Sequence, residues 1–95
     1  MGAIRKSVTK SITAENVFTD LIQVDKGDTG SISVSGTFVA TVTLQRRLDG
    51  ANWRDIESYT AQTEKDFEVG EGSEIRLGVK TGDYTSGTVE ARLGI

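Results

Sequence analysis

Apolar and polar residues alternate along most of this chain with a period of two. In TFVATVTLQRRL, Phe38, Ala40, Val42, Leu44 and Leu48 fall on one face, and Thr37, Thr41, Thr43, Gln45 and Arg47 fall on the other. That is the pattern of a long half-buried strand. Shorter runs repeat it: Ile32 with Val34, Ile75 with Leu77 and Val79, and Val89 with Ala91, Leu93 and Ile95. DLIQVD and DFEV add two further expected strands. Turn signals separate the runs: DKGDTG, LDGAN, GEGS and TGDYTSG. Asp49-Gly50 is the strongest of them, because a two-residue hairpin turn needs positive φ and an Asp-Gly pair supplies it at low steric cost. A sustained helical period is absent. TAENVFTDLI, with Thr13 as an N-cap, offers at most one short helix. The expected fold is all-β: a small antiparallel β-sandwich, jelly-roll or Ig-like, of about seven or eight strands, in preference to a small barrel.

Length and composition narrow the chemistry. At 95 residues the chain is expected to form one domain. A domain of this size buries about 60–65% of its unfolded surface, enough for a modest core but too little for a deep pocket as well. Without cysteine it has no disulfide framework and no thiolate metal site. Without histidine it lacks the commonest general base and the commonest transition-metal ligand, so no cofactor, metal or catalytic set is assigned. The net charge of −3 argues against general binding to nucleic acid or to an anionic membrane. No apolar run approaches the roughly 18 residues of a membrane span, and MGAIRKSVTKSITAE has no apolar secretion core. The chain is expected to be made in the cytoplasm and kept there until it joins its partner.

Trp53 has two readings. It is either an exposed aromatic platform, or the single tryptophan of a small core, packed beside Phe38 and Ile56. Positions 53 and 56 differ in parity, so one points away from the core unless a bulge intervenes. Arg46, Arg47 and Arg54 flank the turn among Asp49, Asp55 and Glu57, which reads as a solvated face laced with weak ion pairs. DKGDTG lacks the spacing of a calcium loop and reads as a plain β-turn. The acidic run EKDFEVGEGSE reads as a solvated edge and loop. Tyr59 and Tyr84 are expected to close the ends of the sandwich.

The domain is divided as a basic N-terminal arm, 1–12, and a sandwich body, 13–95. Arg5, Lys6 and Lys10 meet no acid before Glu15. The arm is either a frayed terminus or a segment that orders on a partner surface, including the acidic stretch of a neighbouring copy. Proline, a common edge blocker, is missing. The edges or faces are therefore open to assembly unless charges such as Lys65, Lys80 and Arg92 protect them.

SGTFVATVTLQRRLDGANWRDIESYTA, followed by FEVGEGSEIRLGVKTGDYTSGTVEARL, resembles small β-sandwich proteins encoded among the virion structural genes of tailed bacteriophages. In that group a G-T-V-T-L-Q-R-S-x-D-G-G-x-x-W segment leads into an acidic strand, a Y-R-x-x-V strand and a closing T-S-G-T-V-x-x-R-L. The resemblance runs from Ser35 to Leu93. Ala40 stands where glycine is usual, Arg47 where serine is common and Ile75 where an aromatic is common. The resemblance implies a non-catalytic virion component that decorates or cements the capsid, or sits at the neck, with major capsid or neck proteins as partners. A homo-oligomer is implied as well, a trimer being natural at a three-fold position. The residues assigned to partner binding are Arg5, Lys6 and Lys10 on the arm, with Arg47, Trp53 and Arg54 as a second patch. The rival reading is a carbohydrate-binding or adhesion module in which Trp53, Tyr59 and Tyr84 stack on sugars.

Overall fold

The computed structural model describes residues 6–48, 50 and 52–95. It is all-β, with eleven strands and no helix among these residues. β1 (Ser7–Ile12), β11 (Val89–Gly94), β4 (Thr29–Ser35) and β8 (Thr63–Glu68) form one antiparallel sheet in that order. The second sheet runs β2 (Val17–Phe18), β9 (Ser73–Val79), β6 (Val42–Arg47), β7 (Arg54–Tyr59), with β3 (Ile22–Val24) also paired to β9. β5 (Phe38–Ala40) and β10 (Tyr84–Gly87) make a separate two-stranded ribbon.

The alternating residues explain the two layers. Ile12, Ile32, Val34, Val89, Ala91 and Leu93 from the first sheet meet Ile22, Val24, Val42, Leu44, Ile75, Leu77 and Val79 from the second in one buried cluster. The molecule is only 17 Å through its thinnest axis, which fits two sheets packed about 10 Å apart with their outer side chains.

The strand count exceeds expectation because β1, β2 and β10 add to the expected strands and because the run from Thr37 to Leu48 is not one strand. It breaks at Thr41, where the chain leaves the ribbon and enters the second sheet. Two crossings pass through this corner: β4 to β5 to β6, and β9 to β10 to β11. The backbones touch there. Gly87 has φ +89, and a Cβ on it would lie 2.2 Å from the carbonyl oxygen of Thr37.

Residues 14–16 form a bend with Asn16 at φ 56, and no helix follows. From Ser7 onward, the stretch expected to be an arm is an edge strand of the first sheet. Ser7 is paired with Gly94 and Ile12 with Val89, and Ile12 is fully buried. DKGDTG is a turn, as read: the Asp28 amide donates to the Asp25 carbonyl at 3.0 Å, and the Asp25 amide donates to the Asp28 carboxylate at 2.8 Å. Gly50 has φ +70, but β6 ends at Arg47 and β7 begins at Arg54, so the connection spans six positions and not the two of the expected turn; Asp49 lies outside the described residues.

Candidate functional site

The parity conflict between Trp53 and Ile56 is settled by a bulge. Leu44 pairs with Glu57 and Gln45 pairs with Asp55, so Ile56 is the extra residue on β7. With Ile56 removed from the count, Tyr59 and Glu57 face inward, and Asp55 and Trp53 face outward. Neither of the two disputed residues fills the core. Ile56 is 50% exposed. Trp53 lies half-buried on the outer face of the second sheet.

What holds the indole there is cationic. The Arg47 guanidinium carbon lies 4.6 Å from the centre of the Trp53 ring, and that of Arg76 lies 4.3 Å from it. Arg76 also stacks on Phe18 at 3.9 Å. Register explains the assembly. Arg76 is opposite Gln45, Arg47 is opposite Glu74, and Phe18 is opposite Gly78, so all these side chains share the outer face. Gly78 is needed for the approach of β2, because a Cβ there would lie 2.3 Å from the carbonyl oxygen of Val17. Trp53 enters from the β7 side and reaches Arg76 two strands away on β9. Gln45, on the strand between, is only 5% exposed.

Polar groups fix the guanidiniums. Arg47 Nε donates to Glu74 Oε1 at 2.7 Å. Arg76 Nε donates to Gln45 Oε1 at 2.8 Å, and Gln45 Nε2 donates to Asp55 Oδ1 at 2.9 Å. Lys80 Nζ closes the chain on Asp55 Oδ2 at 2.6 Å. Lys80, and after it Gln45, hold the Asp55 carboxyl below its ordinary range, while the Asp55 bond raises Lys80. Arg76 has no carboxylate partner among the described residues. Burial, and after it the nearby Arg47 charge, lower its affinity for its proton.

The sequence-assigned residues fall on separate surfaces. Arg47 and Trp53 come together. Arg54 does not join them, because it pairs across the strand with Arg46 and alternates to the face opposite Asp55. Lys6 Nζ donates to the Gln23 carbonyl at 3.1 Å. Lys10 is exposed on the edge strand β1, in register with the buried Ala91. Arg5 lies outside the described residues. Arg76 and Phe18 belong to the site and were not assigned from the sequence.

The outer face of the first sheet is of another kind. Ser7, Thr9 and Ser11 on β1 and Ser31, Ser33 and Ser35 on β4 line up across β11, whose outward residues include Glu90 and Arg92. At its far edge Glu64, Asp66 and Glu68 alternate along β8, exposed, beside Ser33, Ser31 and Thr29. Between the sheets a small apolar notch of about 120 Å³ is lined by Val24, Leu44, Ile56, Phe67, Val69 and Ile75. Among the described residues, no group of three His, Cys, Asp or Glu is placed to hold a metal, and no helix is long and apolar enough to cross a membrane.

Comparison with family models, with curated proteins and with solved structures finds no match.

Proposed function

We propose that this chain is a non-catalytic structural protein of a tailed-bacteriophage virion. It decorates or cements the capsid through several protein contacts made at once, and major capsid or neck proteins are its partners. It is made in the host cytoplasm and works as a homo-oligomer, with a trimer favoured. The virion assignment draws on the sequence resemblance from Ser35 to Leu93. The structural observation that carries the binding role is the patch of Trp53 with Arg47 and Arg76. Tryptophan and arginine dominate the energetics of protein interfaces, and here they are fixed before any partner arrives. Side chains already immobilised by stacking and hydrogen bonds lose little entropy on docking. Many weak contacts of this kind, repeated across copies, give large avidity.

The carbohydrate reading is less well supported. Tyr59 is 9% exposed and its hydroxyl donates to Glu57 at 2.6 Å, while the Tyr84 hydroxyl donates to the Gly87 carbonyl at 2.8 Å. Trp53 already carries two guanidiniums against its ring.

The test is to band particles of the phage that carries the gene on a density gradient and to quantify their proteins by mass spectrometry. The chain is expected in a fixed stoichiometric ratio to the major capsid protein. Its absence from purified particles, or a trace that varies between preparations, would overturn the proposal.

A further inference from the structure

Two surfaces of this chain carry opposite charge that is only partly compensated among the described residues. On the outer face of the second sheet, Arg76 has no carboxylate partner among the described residues, and Arg47 bonds Glu74 only through Nε. Each guanidinium bonds its neighbours through Nε, and no hydrogen bond among the described residues uses its terminal N–H donors. Both carbons lie within 4.6 Å of the same ring centre, so they are no more than about 9 Å apart. On β8, Glu64, Asp66 and Glu68 are exposed and make no ion pair among the described residues. Their strand neighbours on β4 are Ser33, Ser31 and Thr29, none of them cationic. Lys65, the one cation within β8, is taken by Glu57 at 2.7 Å.

Alternate residues on a strand are about 7 Å apart, a separation that the upper limit of about 9 Å between the two guanidiniums admits. Guanidinium and carboxylate are matched in shape as well as charge, since two parallel N–H donors meet two oxygens.

We infer that the Arg47–Trp53–Arg76 patch of one copy receives the outward carboxylates of β8, Asp66 with Glu64 or Glu68, from a second copy of this chain. The two surfaces lie on different sheets of the same molecule, so the contact is head-to-tail. Such a contact closes into a ring when the rotation per copy permits and otherwise extends as a filament. Strand edges contribute little to it. β1 carries Lys10, and β8 carries Lys65, on their core-facing sides, and inward-pointing charges on edge strands block the addition of another strand. β7 is broken by the Ile56 bulge.

The inference rests on the reading of the chain as a protein that assembles in many copies, but its test is separate from the particle analysis. Solution mass is measured by multi-angle light scattering up to about 1 mM chain, a concentration that reveals even millimolar affinities. It is measured at about 50 mM and about 500 mM NaCl, which brackets strong and weak screening. The intact protein is expected to form an oligomer that dissociates at the higher salt. Glu64→Lys with Asp66→Lys, at exposed positions without side-chain partners, is expected to leave the melting curve unchanged and abolish the oligomer. Arg76→Gln is expected to abolish it too, and it offers no carboxylate to the new lysines. The two variants mixed are expected to form a one-to-one pair that grows no further, because only one complementary contact remains; a misfolded variant could not give that result. A monomer at every concentration, an oligomer indifferent to the β8 substitutions, or the failure of the mixed variants to pair would each overturn the inference. Particles that contain the chain while any of these holds would leave the virion reading standing and remove only this contact.

Discussion

At the scale of single residues, the site depends on aromatic rings clamping charge above a sheet. Trp53→Ala removes the ring shared by Arg47 and Arg76. A cation–π contact of this half-buried kind contributes about 0.5–2 kcal/mol, so a loss of about 1–3 kcal/mol is expected in urea unfolding, with Trp53→Phe losing less. A loss for Trp53→Phe as large as for alanine would mean that an aromatic ring at this position is not what holds the patch. Gly78→Ala attacks the same site from below, because the new methyl would meet the carbonyl oxygen of Val17, a backbone atom that cannot swing aside. Overpacking of this kind costs about 1–3 kcal/mol, and β2 with Phe18 is expected to lift. Gly70→Ala, with nothing within 4 Å of its added carbon, is the near-neutral control. Half of this site was legible in the sequence. Arg47 and Trp53 stand close together around the turn, so proximity along the chain suggested the patch. Arg76 and Phe18 arrive from β9 and β2, and only strand order brings them in. One signal was available: Arg76 alternates with Ile75 and Leu77 and so had to point outward. Nothing local said that β6 would lie beside it. Arg54 is kept from the patch by a local rule, because it directly follows Trp53 and consecutive strand residues face opposite ways.

At the scale of elements, the question left by the absence of proline was whether the sheet edges are open, and register answers it. Lys10 sits in line with Val8 and Ile12, on the core side of β1, and Lys65 sits in line with Phe67 on the core side of β8. Lys80 and Arg92, the other cations considered for this role, are elsewhere: Lys80 follows β9 and binds Asp55, and Arg92 is on the interior strand β11. Lys10→Val therefore makes β1 continuously apolar on that side. It is expected to increase aggregation in light scattering without lowering the melting temperature, and unchanged solubility would show that the charge guards nothing. The Lys65–Glu57 pair also ties β8 to β7, joining the two sheets along one side. Lys65, followed by the Tyr59 hydroxyl, holds the Glu57 carboxyl below its ordinary value, and burial, followed by Glu57, keeps the Tyr59 phenol protonated well above its usual range. A carboxyl with a depressed folded-state pKa contributes its full stabilisation above the unfolded-state value and loses it as pH falls through the folded one. Stability is thus expected to drop below about pH 4.5, and Glu57→Gln is expected to flatten that drop in denaturant titrations at about pH 7 and about pH 3. An equally steep acid limb in the variant would assign the pH dependence to other carboxylates. These elements show where the sequence pattern was informative. β4, β9 and β11 were legible because each alternates without interruption. β1 was not, because Lys10 occupies the apolar phase of SVTKSI and made an edge strand look like a basic arm. The run from Thr37 to Leu48 keeps the same phase on both sides of Thr41, so period alone could not reveal a chain that changes sheets.

At the scale of the whole molecule, the first strand and the last are neighbours. β1 pairs along its whole length with β11, so the sheet is complete only when both ends of the described chain are in place. Removing residues 1–12 would bare the edge of β11 and take Ile12 out of the core, and the remainder is expected to lose cooperative unfolding. A truncated chain that still melts cooperatively near the intact protein's temperature would show β1 to be dispensable. Charge substitutions therefore test the N-terminal lysines better than deletion does. The same topology sets the folding rate. Pairings such as β1 with β11 and β4 with β8 join distant parts of the sequence, and the entropy of closing those loops is lost before the contacts form. Domains dominated by such pairings fold in about milliseconds to seconds. With no proline and no cysteine in the chain, the two usual sources of slower steps, prolyl isomerisation over tens of seconds and disulfide rearrangement, are absent. Refolding from urea, followed by Trp53 fluorescence in dilute protein, is therefore expected to be a single exponential with its full amplitude recovered in seconds. The indole is a suitable reporter, because it meets Arg76 only when β7, β6 and β9 are side by side. A slow phase independent of protein concentration would point to a trapped misregister, and the corner where both sheet-to-sheet crossings meet is the place to look for it. A slow phase that quickens with concentration would instead report association following folding.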